Sequence, residues 1–487
     1  MGIDAMRRLM RVRLGAWLAV VAMAPAIAAP PAGRVVELDG VRYVDQGLVA
    51  SGSLAADTVD FLGDTLGSFS SLAVARGSWE RRGNAYAATL WTLPDRGRND
   101  PDAGLFYDYP ARLERLNLDF SAQGVLRLKP LGGVTLLDFE GRPFTGADPG
   151  TGTRVARGHT LPVPMQGVGA GKISLDAESL AFTADGHFYV GDEYTANVYY
   201  FDADGRLQGV IEPPPAVVPR RDGALAFGSL KAPQQGRRNN QGVEGMDISP
   251  DGRRLFVALQ SALVQDSAEG DASGRINTRV LVYDIARDPL PNAPVGHYVV
   301  QLPAYRRDGS AAAPDRTAAQ SELRAIDDQH FLLLARDGNG LGAGNEDRAV
   351  LKQILLVSLA GASNLVGTAY ERSNASILAR RDATTLRGDI RPAHSTVLID
   401  MLDPAQLARF GLSAGPNERG KTWLSEKWEA MALVPALDKQ RPNDWFLLVG
   451  NDNDFIARHC VMRGASCDSP IDNDNRLLAY RLTLPAR

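Results

Sequence analysis

Cysteine and histidine are both scarce in this chain. Of 487 residues only two are cysteine and six histidine. The histidines are scattered, and His159, His187 and His394 show no ligand spacing, so each reads as a surface or core residue. A positive surplus is missing as well. Lysine and arginine number 53 against 57 acids, for a formal charge of −4. No basic stripe stands out, which argues against a nucleic-acid partner. Beyond the N-terminus no apolar run approaches the length needed to span a bilayer. No convincing long amphipathic helix is present either.

The first residues read as an export signal rather than as fold. Arg7, Arg8, Arg11 and Arg13 form a basic stretch, Leu14 to Ala24 is apolar, and Ala26-Ile27-Ala28 is a small-x-small cleavage site. That layout predicts a signal peptide over residues 1–28, removed on export to the periplasm or the exterior. An uncleaved anchor is the competing reading, and the run is short for it. Removal takes away four arginines and one aspartate, carrying the formal charge from −4 to −7. In an oxidising compartment Cys460 and Cys467, flanking Gly464, predict a loop-closing disulfide. A Cys/His metal site would need more soft ligands than lie nearby.

What is abundant is a repeated strand grammar. Asp176 to Glu193 reads as a strand, an Asp-Gly turn at Asp185-Gly186 and a returning strand. Similar units begin at Ser70, Glu244, Glu322 and Glu429, with Ser70 in the place of Glu. Their spacing is uneven. Leu131 to Phe139 and Lys352 to Leu359 can fill the two long gaps. Short antiparallel units of this kind predict an all-β, single-domain β-propeller of five to seven blades, with six as the central count. A pair of β-sandwiches or a β-helix is the alternative. Residues 29–66 read as a segment joining the first blade, and 67–487 as the propeller.

Hairpin arithmetic gives the repeats a chemical meaning. Glu178 lies seven residues before Asp185, and Glu193 seven after Gly186. The arms of each hairpin therefore bring acids to the end remote from the turn. Inner strands line a propeller's axis, so the blades together would build one ring at a channel mouth. Its candidate cation ligands are Asp95, Asp192, Glu193, Glu322, Asp337, Glu429 and Asp452, with Glu178 and Glu244 as proton acceptors. Gln260, Asn451 and Asn453 supply neutral oxygens for substrate. Crowded carboxylates repel one another unless protons or cations compensate. Hard oxygen donors in variable geometry suit Ca²⁺ best and Mg²⁺ second. Arg96 and Arg336 stand beside the acids, to neutralise them or to hold an anionic group. The competing reading makes each Glu a structural tie to backbone amides of the next blade.

Other motifs are weaker. Asp472-Asn473-Asp474-Asn475 lacks the Gly and terminal Glu of a calcium loop and reads as a turn. Gly338 to Gly344 opens no clear helix. Gly411-Leu412-Ser413-Ala414-Gly415 has the spacing of a nucleophile elbow, but a short helix precedes it and a turn follows, the reverse of the required context.

The ordered set Asp95-Arg96-Gly97, Glu178-Ser179-Leu180-Ala181-Phe182, Gly191-Asp192-Glu193, Glu244-Gly245-Met246, Ser321-Glu322-Leu323, Arg336-Asp337 and Glu429-Ala430-Met431-Ala432 resembles the phytase-like domain family, bacterial exported proteins described by esterase-like activity. The resemblance runs from about Gly67 to about Arg481. Ala335 and Arg324 depart from its pattern. It implies a propeller and an ester or phosphoester substrate. Taken with the acidic ring, the expectation is a metal-dependent hydrolase of a small anionic ester, in a monomer without a membrane span. A non-catalytic ligand- or metal-binding propeller, and a lactonase or carboxylic-ester hydrolase, are the alternatives.

Overall fold

The computed structural model describes residues 33–485, apart from 122, 269–271, 345–346, 381–383 and 417–421. The expected signal peptide lies outside the described residues. What they form is a ring of five antiparallel sheets, the lower end of the expected blade count. From the axis outward, blade 1 runs Ser71–Val74, Ala85–Leu93, Arg112–Phe120 and Leu126–Thr135. Blade 2 runs Ala177–Phe182, Phe188–Asp192, Val198–Phe201 and Leu207–Ile211. Blade 3 runs Val243–Ile248, Arg254–Leu259, Asn277–Asp284 and Gly296–Gln301. Blade 4 runs Ala319–Ala325, His330–Arg336, Lys352–Ser358 and His394–Asp400. The strand-like segments in the two long gaps therefore belong to blades 1 and 4 and make no blade of their own.

Blade 5 closes the ring. Lys427–Pro435, Asp444–Asp452 and Asn475–Thr483 are completed by the N-terminal strands Val41–Leu54 and Arg34–Leu38. The N-terminal segment, expected to join the first blade, pairs along the last C-terminal strand, Leu48 opposite Tyr480 and Ala50 opposite Ala479, and also meets blade 1, where Ser51 N donates to the Gly124 carbonyl at 3.0 Å. Inner strands of adjacent blades touch all the way round, from blade 5 back to blade 1. Cys460 and Cys467 form the expected disulfide. Among the described residues no helix is long and apolar enough to cross a membrane.

The strands are near-continuous apolar runs because both faces of each blade are covered. In Phe331-Leu332-Leu333-Leu334-Ala335 alternate side chains point to opposite faces. Leu332 and Leu334 join the core with blade 5, while Phe331, Leu333 and Ala335 join the core with blade 3. The Asp-Gly turns form as expected, with Gly186 at φ +92° and Gly252 at φ +76°, a region closed to most side chains.

Arg324 explains one departure from the family pattern. Its guanidinium crosses the channel and donates to the carbonyls of Met431 (2.6 Å), Met246 (2.7 Å), Leu72 (2.8 Å) and its neighbour Leu323 (2.9 Å). Four of the five inner strands are thus held by one side chain. Glu322 neutralises it at 2.8 Å and accepts from Ser71 Oγ at 2.7 Å, whose oxygen accepts from Leu180 N of blade 2. The pair plugs the channel below the mouth.

A second buried charge group fastens the chain around Asp60 to blade 1. Arg112 bonds Asp60 and, at 2.9 Å, Asp64. Burial, then the Asp60 charge, pushes the neighbouring Glu114 carboxyl up to about 9. Arg463 N of the disulfide loop also donates to Asp64, at 2.6 Å.

Arg324→Met is expected to lower stability by about 3–5 kcal/mol, the usual cost of leaving a buried charge alone. Arg324→Met with Glu322→Gln should recover part of it; unchanged denaturation midpoints in both would exclude the plug as a tie. The folded state holds the Glu114 proton more tightly than the unfolded chain, whose pKa is near 4.5, so stability falls as pH rises from there towards about 9. Glu114→Gln should remove that fall, with the variant gaining on the parent in melting temperature as pH rises.

Candidate functional site

The acids at the mouth are aimed inward by a shared local device. On the inner strands of blades 2, 3 and 5 one residue drops out of register: Glu178 between Ala177 and Ser179, Glu244 between Val243 and Gly245, and Glu429 between Trp428 and Ala430. Such a bulge bends the strand and re-aims the extra side chain. Carboxylate oxygens of these three glutamates, from three blades, lie within 4.8 Å of one another. Two further sets meet the same limit, Asp95 with Asp176 and Glu178, and Asp95 with Asp452 and Asp454. Asp95 and Glu178 link the three sets into one cluster. It opens into a cleft of about 200 Å³ whose walls include Asp95, Asp176, Glu178, Arg98, Asn240 and Lys427.

Charge compensation is uneven across this cluster. Lys427 Nζ lies 2.6 Å from Asp454 and 3.9 Å from Asp452. Burial opposes its charge, but those carboxylates reverse the effect and hold it protonated. Arg96 lies 3.0 Å from Asp176, and Arg336 pairs with Glu429. Gln260 Nε2 donates to Glu244 Oε1 at 2.6 Å. Glu178 stands apart. It is 7% exposed and has no hydrogen bond or ion pair among the described residues. Burial, then the charges of Glu244 and Asp176, raise its carboxyl well above the ordinary range. Burial and Asp176 likewise push Asp95 up to about 7.

Several expected residues lie elsewhere in the mouth or outside it. Glu322 is the clearest correction. The blade 4 bulge falls between Gln320 and Glu322, at Ser321. Counting back from the leucine that recurs in the repeats, Leu323 against Leu180, would have aligned Ser321 with Glu178; Glu322 sits one place on and faces Arg324 in the plug. Asp337 is neutralised by Lys352 at 2.5 Å and accepts from Leu351 N, inside blade 4. Asp192 accepts from Thr195 N and Asp176 N, shaping the turn that carries Glu193; burial pushes it up to about 6. Glu193, 2% exposed, lies close to the charges of Asp176, Arg96 and Arg237. Asn451 accepts from Arg476 N and Asn453 from Phe455 N, so both shape backbone and neither lines the cleft. Ser413, in the Gly-x-Ser-x-Gly stretch, follows the helix Pro404–Ala408 and bridges to Trp423, without a strand before it.

Besides Asn99, Gly342 and Ile456, five residues at the cleft were not among the expected site residues: Asp176, Lys427, Arg98, Asp454 and Asn240. The first four each lie two positions from an expected one (Glu178, Glu429, Arg96 and Asp452). That closeness in sequence was the available signal; it is not strand alternation, because Asp176, Arg98 and Asp454 lie outside the strands and bulges break the register at Glu178 and Glu429. Asn240, in a loop and with positive φ, carried none.

The donors are hard oxygens throughout. Asp176 Oδ1, Glu244 Oε2 and Asn240 Oδ1 are buried without a hydrogen-bond donor. Excess carboxylate and unpartnered oxygen fit a hard divalent cation of the Ca²⁺ or Mg²⁺ type.

A family model described as phytase-like, esterase-like activity of phytase, matches residues 65–455. A protein of Arthroderma benhamiae described as an uncharacterized secreted protein is 31% identical over 461 residues, covering 85% of this chain and 88% of its own. Among solved structures, a luciferin-regenerating enzyme matches 86% of this chain and 94% of its own, at 10% identity and a TM-score of 0.29. Kluyveromyces marxianus Hsv2 matches 57% and 77%, at 10% identity and a TM-score of 0.22. Both scores are too low to bear on fold or activity here. The family match over the propeller and the relative aligned along most of both chains place this chain in the phytase-like family.

Proposed function

We propose that the protein is an exported hydrolase of phosphoric esters that works with a divalent cation, Ca²⁺ before Mg²⁺, at the channel mouth. Glu178 carries this reading: an unpaired, buried carboxylate shared by two sets of acids and facing a cleft. Export is supported by the N-terminal sequence, the disulfide and the secreted relative.

Asp95, Asp176 and Glu178 would hold the cation, with Asn240 Oδ1 as a neutral oxygen. When bound, such an ion polarises a phosphoryl group and acidifies a water, which then sheds its proton to solvent at the open cleft. Glu178 is thus a ligand here, in place of the proton-acceptor role expected of it. Lys427, kept charged by Asp454, adds positive potential. Arg96 and Arg336 are committed to Asp176 and Glu429. Arg98 is the guanidinium left for the substrate's anionic oxygens, since among the described residues it donates only to the carbonyl of Asp454, at 3.3 Å. The same cation would serve a carboxylic ester, and the family's description as esterase-like favours keeping that second substrate class in the assay.

The test is hydrolysis of phosphate and carboxylate esters by the purified chain, with and without chelator. Calcium-restored cleavage of phosphate esters is expected, falling at least 100-fold in Glu178→Gln, a loss in the range set by single electrostatic groups. Cleavage of carboxylate esters alone would move the assignment to that class. Calcium binding without turnover of either would make the protein a binding propeller.

A further inference from the structure

The Arg324 plug divides the channel, and the far side differs in chemistry from the acidic mouth. Leu72 and Met246 accept from Arg324 through their carbonyls, and Leu180 N donates to Ser71 Oγ. Two positions further along the same three inner strands stand Val74, Ile248 and Phe182, and all three line one cavity. Two strand residues carry the chain about 7 Å. Glu178 and Glu244 lie two positions to the other side of Leu180 and Met246, so the cavity is the opposite mouth of the channel. Its volume is about 790 Å³, against about 200 Å³ for the cleft. Small-molecule sites occupy roughly 300–1,000 Å³, with apolar walls and a few polar groups.

The apolar walls Val74, Trp91, Phe182, Ile248 and Ile285 are only half-buried. The rings of Trp91 and Phe182 meet at 6.0 Å, and the Arg115 guanidinium lies 5.8 Å from the Trp91 centroid. Neighbours thus hold both rings, and little ordering is left for a ligand to impose. The Trp91 indole N–H has no acceptor among the described residues. The charges here are matched within the protein. Arg76 donates to Ala184 O. Asp185 accepts from Thr183 Oγ1 and lies 3.2 Å from His187 Nδ1. Asp247 accepts from Ile248 N and Ala325 N, each at 2.9 Å. A charged ligand would lose its hydration without gaining a free counter-charge, which favours a neutral one.

We infer that the far mouth of the channel is a second binding site, for an uncharged small molecule with a flat apolar ring system that packs against Trp91 and Phe182. The Trp91 N–H supplies a donor to it. The plug separates this site from the cleft, and the inference does not depend on the cation or on hydrolysis.

The full chain is titrated with N-phenylnaphthylamine, a neutral dye whose emission rises in apolar surroundings. The parent should saturate with one dye per chain. Trp91→Ala should weaken binding by roughly tenfold or more, the scale of losing one ring contact and its buried area. Ala203→Trp, which fills the cavity from an exposed turn away from the core, should weaken it as much and guards against a variant that merely misfolds. Glu178→Gln, and chelator, should leave the affinity unchanged. The anionic dye anilinonaphthalenesulfonate should bind less tightly than the neutral one. No saturable binding to the parent, undiminished binding in either Trp91→Ala or Ala203→Trp, loss of binding in Glu178→Gln, or tighter binding of the anionic dye would each overturn the assignment.

Discussion

The mouth exists only because the ring is closed. Closure is a strand exchange between the two ends of the chain: Val41–Leu54 pairs with Asn475–Thr483, and blade 5 is built from both termini. Loss of that pairing would expose the outer strand Asn475–Thr483 and weaken the blade whose two inner strands carry Glu429, Lys427 and Asp452. Convergence of acids from blades 1, 2, 3 and 5 on one cluster depends on it. The cost of ordering so many non-local contacts is offset by burying blades on both faces, which is why runs such as Phe331 to Ala335 are apolar at every position.

Inside the closed ring, charge is handled at two levels. In the channel, Arg324 and Glu322 neutralise one another and satisfy carbonyls of four inner strands. At the mouth, acids outnumber their basic partners, and the unpaired ones cluster around Glu178. A structural ring would be expected to satisfy its own charges, as the plug does. The contrast between the satisfied plug and the unsatisfied mouth is the physical basis for reading the mouth as a place for cations. Lys427 then has a defined part: it offsets the Asp452–Asp454 side as Arg96 offsets Asp176, so the uncompensated charge is concentrated at Asp95, Glu178 and Glu244.

The local sequence by itself determined much of this. Alternation and turns define hairpins, and hairpins put Glu178, Glu244 and Glu429 at one end, because each of those relations lies within a single hairpin. The disulfide partners were settled by there being no others. Tertiary structure decided the rest. Ser321 rather than Glu322 occupies the ring position, since a bulge, which shifts register by one residue, sets the alignment. Asp337 is absorbed by Lys352, a partner from the neighbouring strand. Arg324, a misfit when read as one residue of an apolar strand, becomes intelligible only when five inner strands surround it. The blade count likewise depends on the N-terminal strands completing blade 5. Which carboxylates remain unpaired depends on neighbours contributed by other blades, and no reading along one strand contains them.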